Sequence, residues 1–294
     1  MPDKTDAAPV GHFLRVALTQ MRVARDVATN VDAIVDLIRL AAAERPDLIL
    51  LPENCLIQGS QIEMGAAALP RDSSAIVRLC DAARTAKACV VLGGFKERMP
   101  DGGIYNSALV IDAGGVIRGC YNKIHLFDAS LGGITYRASS IETPGTTPVI
   151  LNIRDAKIGL TICYDLRFPE LYRTLALAGA QVFCVPAAFT QSTGEAHWDV
   201  LLRARAIENA AFVVASATVG GGESGASTIA PTYGHALAVD PWGRVMANLG
   251  VAEHAHCTVT LDLARVFEAR AALPVLRNVQ SAACAPPRLI SCGN

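Results

Sequence analysis

The sequence is short of net charge. It sets 26 basic side chains against 27 acidic ones, a formal balance of −1 with histidine neutral. No basic stripe stands out, and nucleic-acid binding rests on neutralising phosphates with Lys and Arg, so a nucleic-acid partner is not expected. No apolar run approaches the ~18 residues of a membrane-spanning helix. Residues 1–12, MPDKTDAAPVGH, lack the apolar core of a secretory signal and read as a flexible N-terminal tail. The nine cysteines (55, 80, 89, 120, 163, 184, 257, 284 and 292) are odd in number and contain no CxxC pair. That argues against a disulfide framework and against a zinc knuckle. Most lie in apolar segments, where a free thiol packs as a small hydrophobe, and the expected compartment is reducing and cytoplasmic.

Apolar residues are abundant instead: 51% of 294, with only 18% charged, enough for a large buried core. Residues 14–20 alternate as a strand, and 30–43 carry apolar side chains at helical spacing with Asn30 as N-cap. The run 46–54, closed by Pro52, reads as a buried strand. Residues 73–87 read as a helix capped by Ser73, with Ile76, Val77, Cys80 and Ala83 inward, and 89–95 as the next buried strand. Two hairpins follow, 105–112 with 116–123 and 147–153 with 156–165. Then come a helix at 168–179 with Pro169 at its start and Gly179 past its end, a strand, a helix at 197–210, three strands and a short helix near 263–272. The two halves look alike and no linker divides them. The pattern predicts one domain over 13–275, with two sheets face to face and helices over both outer faces, and an irregular tail over 276–294.

Three strand ends carry a residue able to do chemistry: Glu53 after LILLP, Lys123 after VIRGCYN, and Cys163 after IGLTI. Ligands in α/β sheets gather beyond the carboxyl ends of strands, so the three could share one rim. A thiol is only a few per cent ionised at neutral pH and needs a base. Glu53 would take its proton, with a pKa raised by burial toward the useful range. The Lys123 ammonium and the backbone N–H of Tyr164 would hold the oxyanion formed on an amide carbonyl. Each residue also has a plainer role. Cys163 taken alone reads as a core thiol, and Glu53 and Lys123 taken alone read as solvated side chains.

Weaker signals stand beside these. GGGESG at 220–225 satisfies G-x-G-x-x-G, but no helix follows and a loop is expected; GESGA lacks the strand-turn-helix context of a serine elbow. His254 and His256 have no third metal ligand nearby. His197-Trp198 reads as an aromatic packed at a helix start, and His125 as support for Lys123.

LLPEN, YNKIHLFD and GLTICYDLRFPEL, in that order, resemble the three signature blocks of the nitrilase (carbon–nitrogen hydrolase) superfamily. Further similarity lies in AHWDVLLRARAIEN, YGHALAVDPWG and LPVLR, most of all to the Nit branch of amidases. The resemblance implies a four-layer αββα sandwich and a homodimer or higher homo-oligomer. It implies a small-molecule amide substrate and neither cofactor nor metal. Glu53, Lys123 and Cys163 take the roles of base, stabiliser and nucleophile, and Arg167, Phe189 and Thr193 lie around the substrate. Arg167 suits a carboxylate, which guanidinium binds bidentately; the alternative is an ion pair with Asp165 or Glu170. One position departs. The superfamily carries a second glutamate where this sequence has Ala138. Either Glu142, four residues on, takes its place, or the alignment shifts, or the enzyme is slow or acts on an unusual substrate. The function expected is a cysteine-dependent amidase acting on a small carboxylate-bearing amide, deaminated glutathione among the candidates. The alternatives are an N-carbamoyl-amino-acid hydrolase or nitrilase, and a catalytically weak binding or scaffold protein.

Overall fold

A computed structural model describes residues 13–131, 133–221 and 230–280. The expected tail 1–12, most of the tail 276–294 with Cys284 and Cys292, and the glycine-rich segment from 222 to 229 lie outside the described residues. In chain order the first half comprises β1 (Phe13–Met21), α1 (Val27–Ala42), β2 (Leu48–Leu50), α2 (Gln61–Ala66), α3 (Ser74–Ala86), β3 (Cys89–Arg98), β4 (Ile104–Ile111), β5 (Ile117–Asn122), β6 (Asp128–Leu131) and β7 (Ile134–Arg137). The second comprises β8 (Val149–Ile153), β9 (Ala156–Leu160), α4 (Pro169–Leu177), β10 (Val182–Cys184), α5 (Gln191–Asn209), β11 (Phe212–Ala215), β12 (Ala217–Gly220), β13 (Thr232–Tyr233), β14 (Leu237–Val239), β15 (Val245–Asn248), β16 (Ala255–Asp262) and α6 (Ala264–Ala272).

One sheet runs β13-β12-β1-β2-β3-β4-β5, with β16 antiparallel along β1; the other runs β15-β14-β11-β10-β9-β8. The alternation of β1 shows how they stack. Leu14, Val16 and Leu18 enter the core shared with the second sheet, while Ala17 and Met21 pack with Ile34, Leu37 and Ile38 of α1 and Ile76 and Leu79 of α3. The second sheet's outer face carries α4 and α5 through Leu175, Trp198 and Leu202. The result is the expected four-layer αββα sandwich. Central strands are buried on both faces, which explains their continuous apolar runs. A single residue, Ser216, carries the chain from β11 in one sheet to β12 in the other. Its Oγ donates to Leu50 O at 2.7 Å and accepts from Thr19 N at 2.9 Å, so the crossing is pinned at the end of β2.

Several local expectations are corrected. Helix α1 begins three residues early, capped by Asp26, whose carboxylate accepts from Thr29 N at 2.8 Å. Asn30 is instead buried inside the helix and ties Ala24 and Leu56 to it. Ser73 caps α3 as expected, but Val77 points outward at 49% exposure and Leu79 takes the inward place. Helix α5 starts at Gln191, so Trp198 lies within it, buried, with Nε1 donating to His235 O at 2.8 Å. The short helix α2 and the hairpin β6–β7 were not anticipated. His256 faces Glu44 at 3.2 Å, and no group of three or more His, Cys, Asp or Glu among the described residues is arranged to hold a metal ion.

Candidate active site

The strand expected over 156–165 stops at Leu160. Cys163 then adopts a left-handed backbone, φ +49°, and opens a 3-10 turn over Cys163–Arg167. Its N–H donates to Pro186 O at 2.9 Å, which fixes the turn on the end of β10. A non-glycine residue in this region is uncommon and is held there by its surroundings. Asp165, fully buried, supplies the hold. Its Oδ2 accepts from Tyr121 Oη at 2.7 Å and Ile162 N at 2.8 Å. Its Oδ1 accepts from His125 N at 3.1 Å and lies 2.7 Å from His125 Nδ1. The same carboxylate thus braces the Cys163 turn and the segment after Lys123, which His125 joins to it.

Glu53 follows β2. Its neighbour Asn54 donates its N–H to Gly94 O at 2.7 Å. Gly93 and Gly94 form a bulge in β3 where its register with β4 slips. A Cβ on Gly93 would stand 1.9 Å from Leu51 O and 2.3 Å from Pro186 Cβ. The missing side chain lets the ends of β2 and β10 approach, and with them Glu53 and Cys163.

Lys123 leaves β5 and reaches across: its Nζ lies 2.7 Å from Glu53 Oε1. Asn106 Nδ2 donates to the same oxygen at 2.9 Å, and Ala188 N donates to Oε2 at 3.1 Å. Glu53, Lys123 and Cys163 are 3%, 4% and 8% exposed and line one cavity of about 330 Å³. Burial pushes the Glu53 carboxyl up, but the charges of Lys123 and then Lys96 outweigh it and hold it below the usual carboxylate range. This corrects the expectation of a raised value, which counted burial without the second ammonium. Burial, with the Glu53 charge added, pushes the Cys163 thiol well up, against the smaller pull of Lys123. Burial, the largest single influence, pushes Lys123 down, but Glu53, Cys163 and Glu142 together raise it above the ordinary value, and it stays charged. The resting site is therefore a thiol, a carboxylate and an ammonium. The N–H of Tyr164, in the first turn after the thiol, belongs to the donors a helical turn leaves without an internal partner.

Ala138 is buried in the cavity wall. Glu142 N donates to Ala138 O at 2.9 Å, so Glu142 sits one helical turn on and faces the same way. Its side chain lines the cavity, with Oε1 2.7 Å from Lys96 Nζ and Oε2 buried without a partner. Arg167 lies half-buried at the same cavity, its guanidinium 5.2 Å from the Phe189 ring centre and Nη1 3.3 Å from His197 Nδ1. No ion pair joins it to Asp165 or Glu170: Asp165 is committed to its four other contacts. Phe189 and Thr193 also line the cavity, with Thr193 Oγ1 2.8 Å from Thr190 Oγ1. Sequence reasoning missed Lys96, Asn106 and the bracing role of Asp165. A lysine inside the long β3 strand, just past a Gly-Gly bulge, was the available signal for the first.

The sequence and the fold have counterparts. The carbon–nitrogen hydrolase family matches residues 15–271, and the chain belongs to that family. It is 37% identical over 274 residues, 90% of this chain and 93% of the other, to a protein named deaminated glutathione amidase from Dictyostelium discoideum. It superposes on the crystal structure of the Caenorhabditis elegans NitFhit protein with a TM-score of 0.83 and 33% identity, covering 93% of this chain and 66% of that one. It superposes with a TM-score of 0.70 and 26% identity, covering 89% and 98%, on a Nesterenkonia amidase mutant in which acrylamide has added at the active-site cysteine.

Proposed function

We propose that the chain is a cysteine-dependent amidase in which Cys163 is the nucleophile, Glu53 the general base and acid, and Lys123 the oxyanion stabiliser. Hydrolysis of a non-peptide carbon–nitrogen bond follows from the family. The observation that carries the residue roles is the buried contact of Glu53 with Lys123 at 2.7 Å, with the Cys163 thiol against the same carboxylate. Glu53 takes the thiol proton as sulfur attacks the amide carbon. Lys123 and the Tyr164 N–H receive the negative oxygen. Glu53 then protonates the nitrogen, the C–N bond breaks, and a thioester remains. Water, deprotonated by Glu53, hydrolyses the thioester and restores the thiol.

Glu142 supports the reading of a second acid. Its free, buried oxygen suits a hydrogen bond from the substrate nitrogen, since a buried acceptor left unpaired is costly. The half-buried Arg167 cation, stacked on Phe189, favours a carboxylate on the substrate. Together with the relative's name, this makes deaminated glutathione the first substrate to test. Carbamoyl or nitrile hydrolysis and a weak scaffold protein are not favoured: relatives from Dictyostelium discoideum, Synechocystis and Homo sapiens are named deaminated glutathione amidase. A homo-oligomer is proposed as well, supported by Val200 and Ile207, seven residues apart on the outside of α5 at 66% and 49% exposure, and by Trp242 at 50%. Absence of a long apolar helix among the described residues gives no span to cross a membrane.

The test is intact mass and product analysis with deaminated glutathione. An acyl adduct confined to Cys163, release of free amine, and loss of both in Cys163→Ala support the reading. Turnover retained in Cys163→Ala would overturn it. Ammonia with carbon dioxide from N-carbamoyl substrates, at a higher kcat/KM, would move the assignment to a carbamoyl hydrolase.

A further inference from the structure

A second ammonium lies in the wall of this site. Lys96 projects from β3 just beyond the Gly93–Gly94 bulge, with its side chain 5% exposed and its Nζ 2.7 Å from Glu142 Oε1. Its backbone is in register with Asn106 on β4, whose Nδ2 donates to Glu53 at 2.9 Å. Glu53 and Glu142 are both buried in one cavity with Lys123. Two carboxylates and one ammonium would leave that interior with uncompensated negative charge, and buried charge persists only when paired. Lys96 closes the balance at two against two.

We propose that Lys96 is a positioning residue of the reaction: its ammonium holds Glu142 against the cavity wall with one oxygen free, and its charge offsets the two carboxylates, Glu53 and Glu142, that share this cavity. The proposal rests on the reading of Cys163 as nucleophile and Glu53 as its base. It adds a residue that acts through both acids without touching the reacting atoms. The Lys96 charge is the second largest cationic influence on Glu53, after Lys123.

The experiment follows alkylation of Cys163 by iodoacetamide, read by mass, across pH. The rate falls where Glu53 gains a proton and can no longer accept one from the thiol. In the wild type that acid limb lies below the usual carboxylate range. Lys96→Met removes the positive field and raises the limb by about one pH unit. Glu142→Gln removes the competing carboxylate and does not raise it. The double variant Lys96→Met/Glu142→Gln, which loses one charge of each sign, returns the limb near the wild type. It also tests the proposal if Lys96→Met alone, left with an unpaired Glu142, fails to fold. A purely structural Lys96 would lower the thermal midpoint while leaving the limb unmoved in every variant, and that result overturns the proposal. Failure of iodoacetamide to single out Cys163 in the wild type would overturn the nucleophile reading itself, a separate outcome.

Discussion

Glu53 takes a hydrogen bond from Asn106 and one from Ala188 N–H and touches the Lys123 ammonium, yet the proposed mechanism also has it receive the proton of a thiol. A carboxylate held this way stays ionised at rest. In that mechanism it becomes a proton acceptor when attack turns the thiol into a thioether-like sulfur and the proton needs a destination. Glu53→Gln keeps the shape and removes that destination. Turnover is expected to fall ~10²–10⁴-fold, with the fold intact by circular dichroism. Near-wild-type turnover would remove Glu53 from the mechanism. At this scale the strand-end positions of Glu53, Lys123 and Cys163 were legible, because each is a polar or reactive residue closing an apolar run. The direction of the Glu53 shift was not. Burial can be inferred from an apolar run, whereas the reversal comes from Lys123 and, added to it, Lys96, 43 positions away on another strand. The relation of Ala138 to Glu142 was half legible: a spacing of four is one helical turn, but only the observed turn after Ala138 makes it one.

Between elements, the site depends on how closely β2, β3 and β10 end. Gly93 sits where a Cβ would fall 1.9 Å from Leu51 O, on backbone that cannot swing aside as a side chain tip can. Gly93→Ala therefore forces apart the segments that carry Glu53 and Cys163. Overpacking of this kind costs about 1–3 kcal/mol. The expected result is a lowered thermal midpoint together with loss of selective Cys163 alkylation. A variant with wild-type stability and labelling would show that the three ends are not wedged together. Periodicity made β1, β3, β4, β5, α3 and α4 readable, since each shows either a buried run or a full helical face. It failed where tertiary contacts decide. Asn30 looked like a cap because its side chain bonds backbone, but those bonds are made from inside the helix to Ala24 and Leu56. By its apolar pattern FVVASAT, at 212–218, reads as one strand, since nothing in it signals that Ser216 passes the chain between two sheets.

Across the whole molecule, the sandwich buries ionisable groups in number, and their shared direction sets its response to alkali. Burial pushes Cys55 and Cys89 up to about 12, and Cys163 and Cys184 higher still. Tyr121 and Tyr172 are raised as well, by burial first. In every case the folded chain keeps a proton that the unfolded chain releases near the ordinary value. Below that value both states hold it and stability does not depend on pH. Above it the unfolded state binds fewer protons, so stability falls as pH rises. For the thiols the window opens at the reference value of 9.0 and extends to about 12. Glu53 works in the opposite sense, contributing stability above the ordinary carboxylate value and losing it as pH falls through its depressed folded one. Within the alkaline window each thiol removes about 1 kcal/mol per pH unit. Cys184→Ala tests this away from the reacting groups, since Cys184 lies in β10 and is fully buried. The variant is less stable than the wild type at about pH 8, from lost packing, and its deficit shrinks by roughly 1 kcal/mol at about pH 10 because one titrating thiol is gone. Urea unfolding at both pH values measures the two deficits; equal deficits would mean that Cys184 ionises as readily in the folded chain as in the unfolded one.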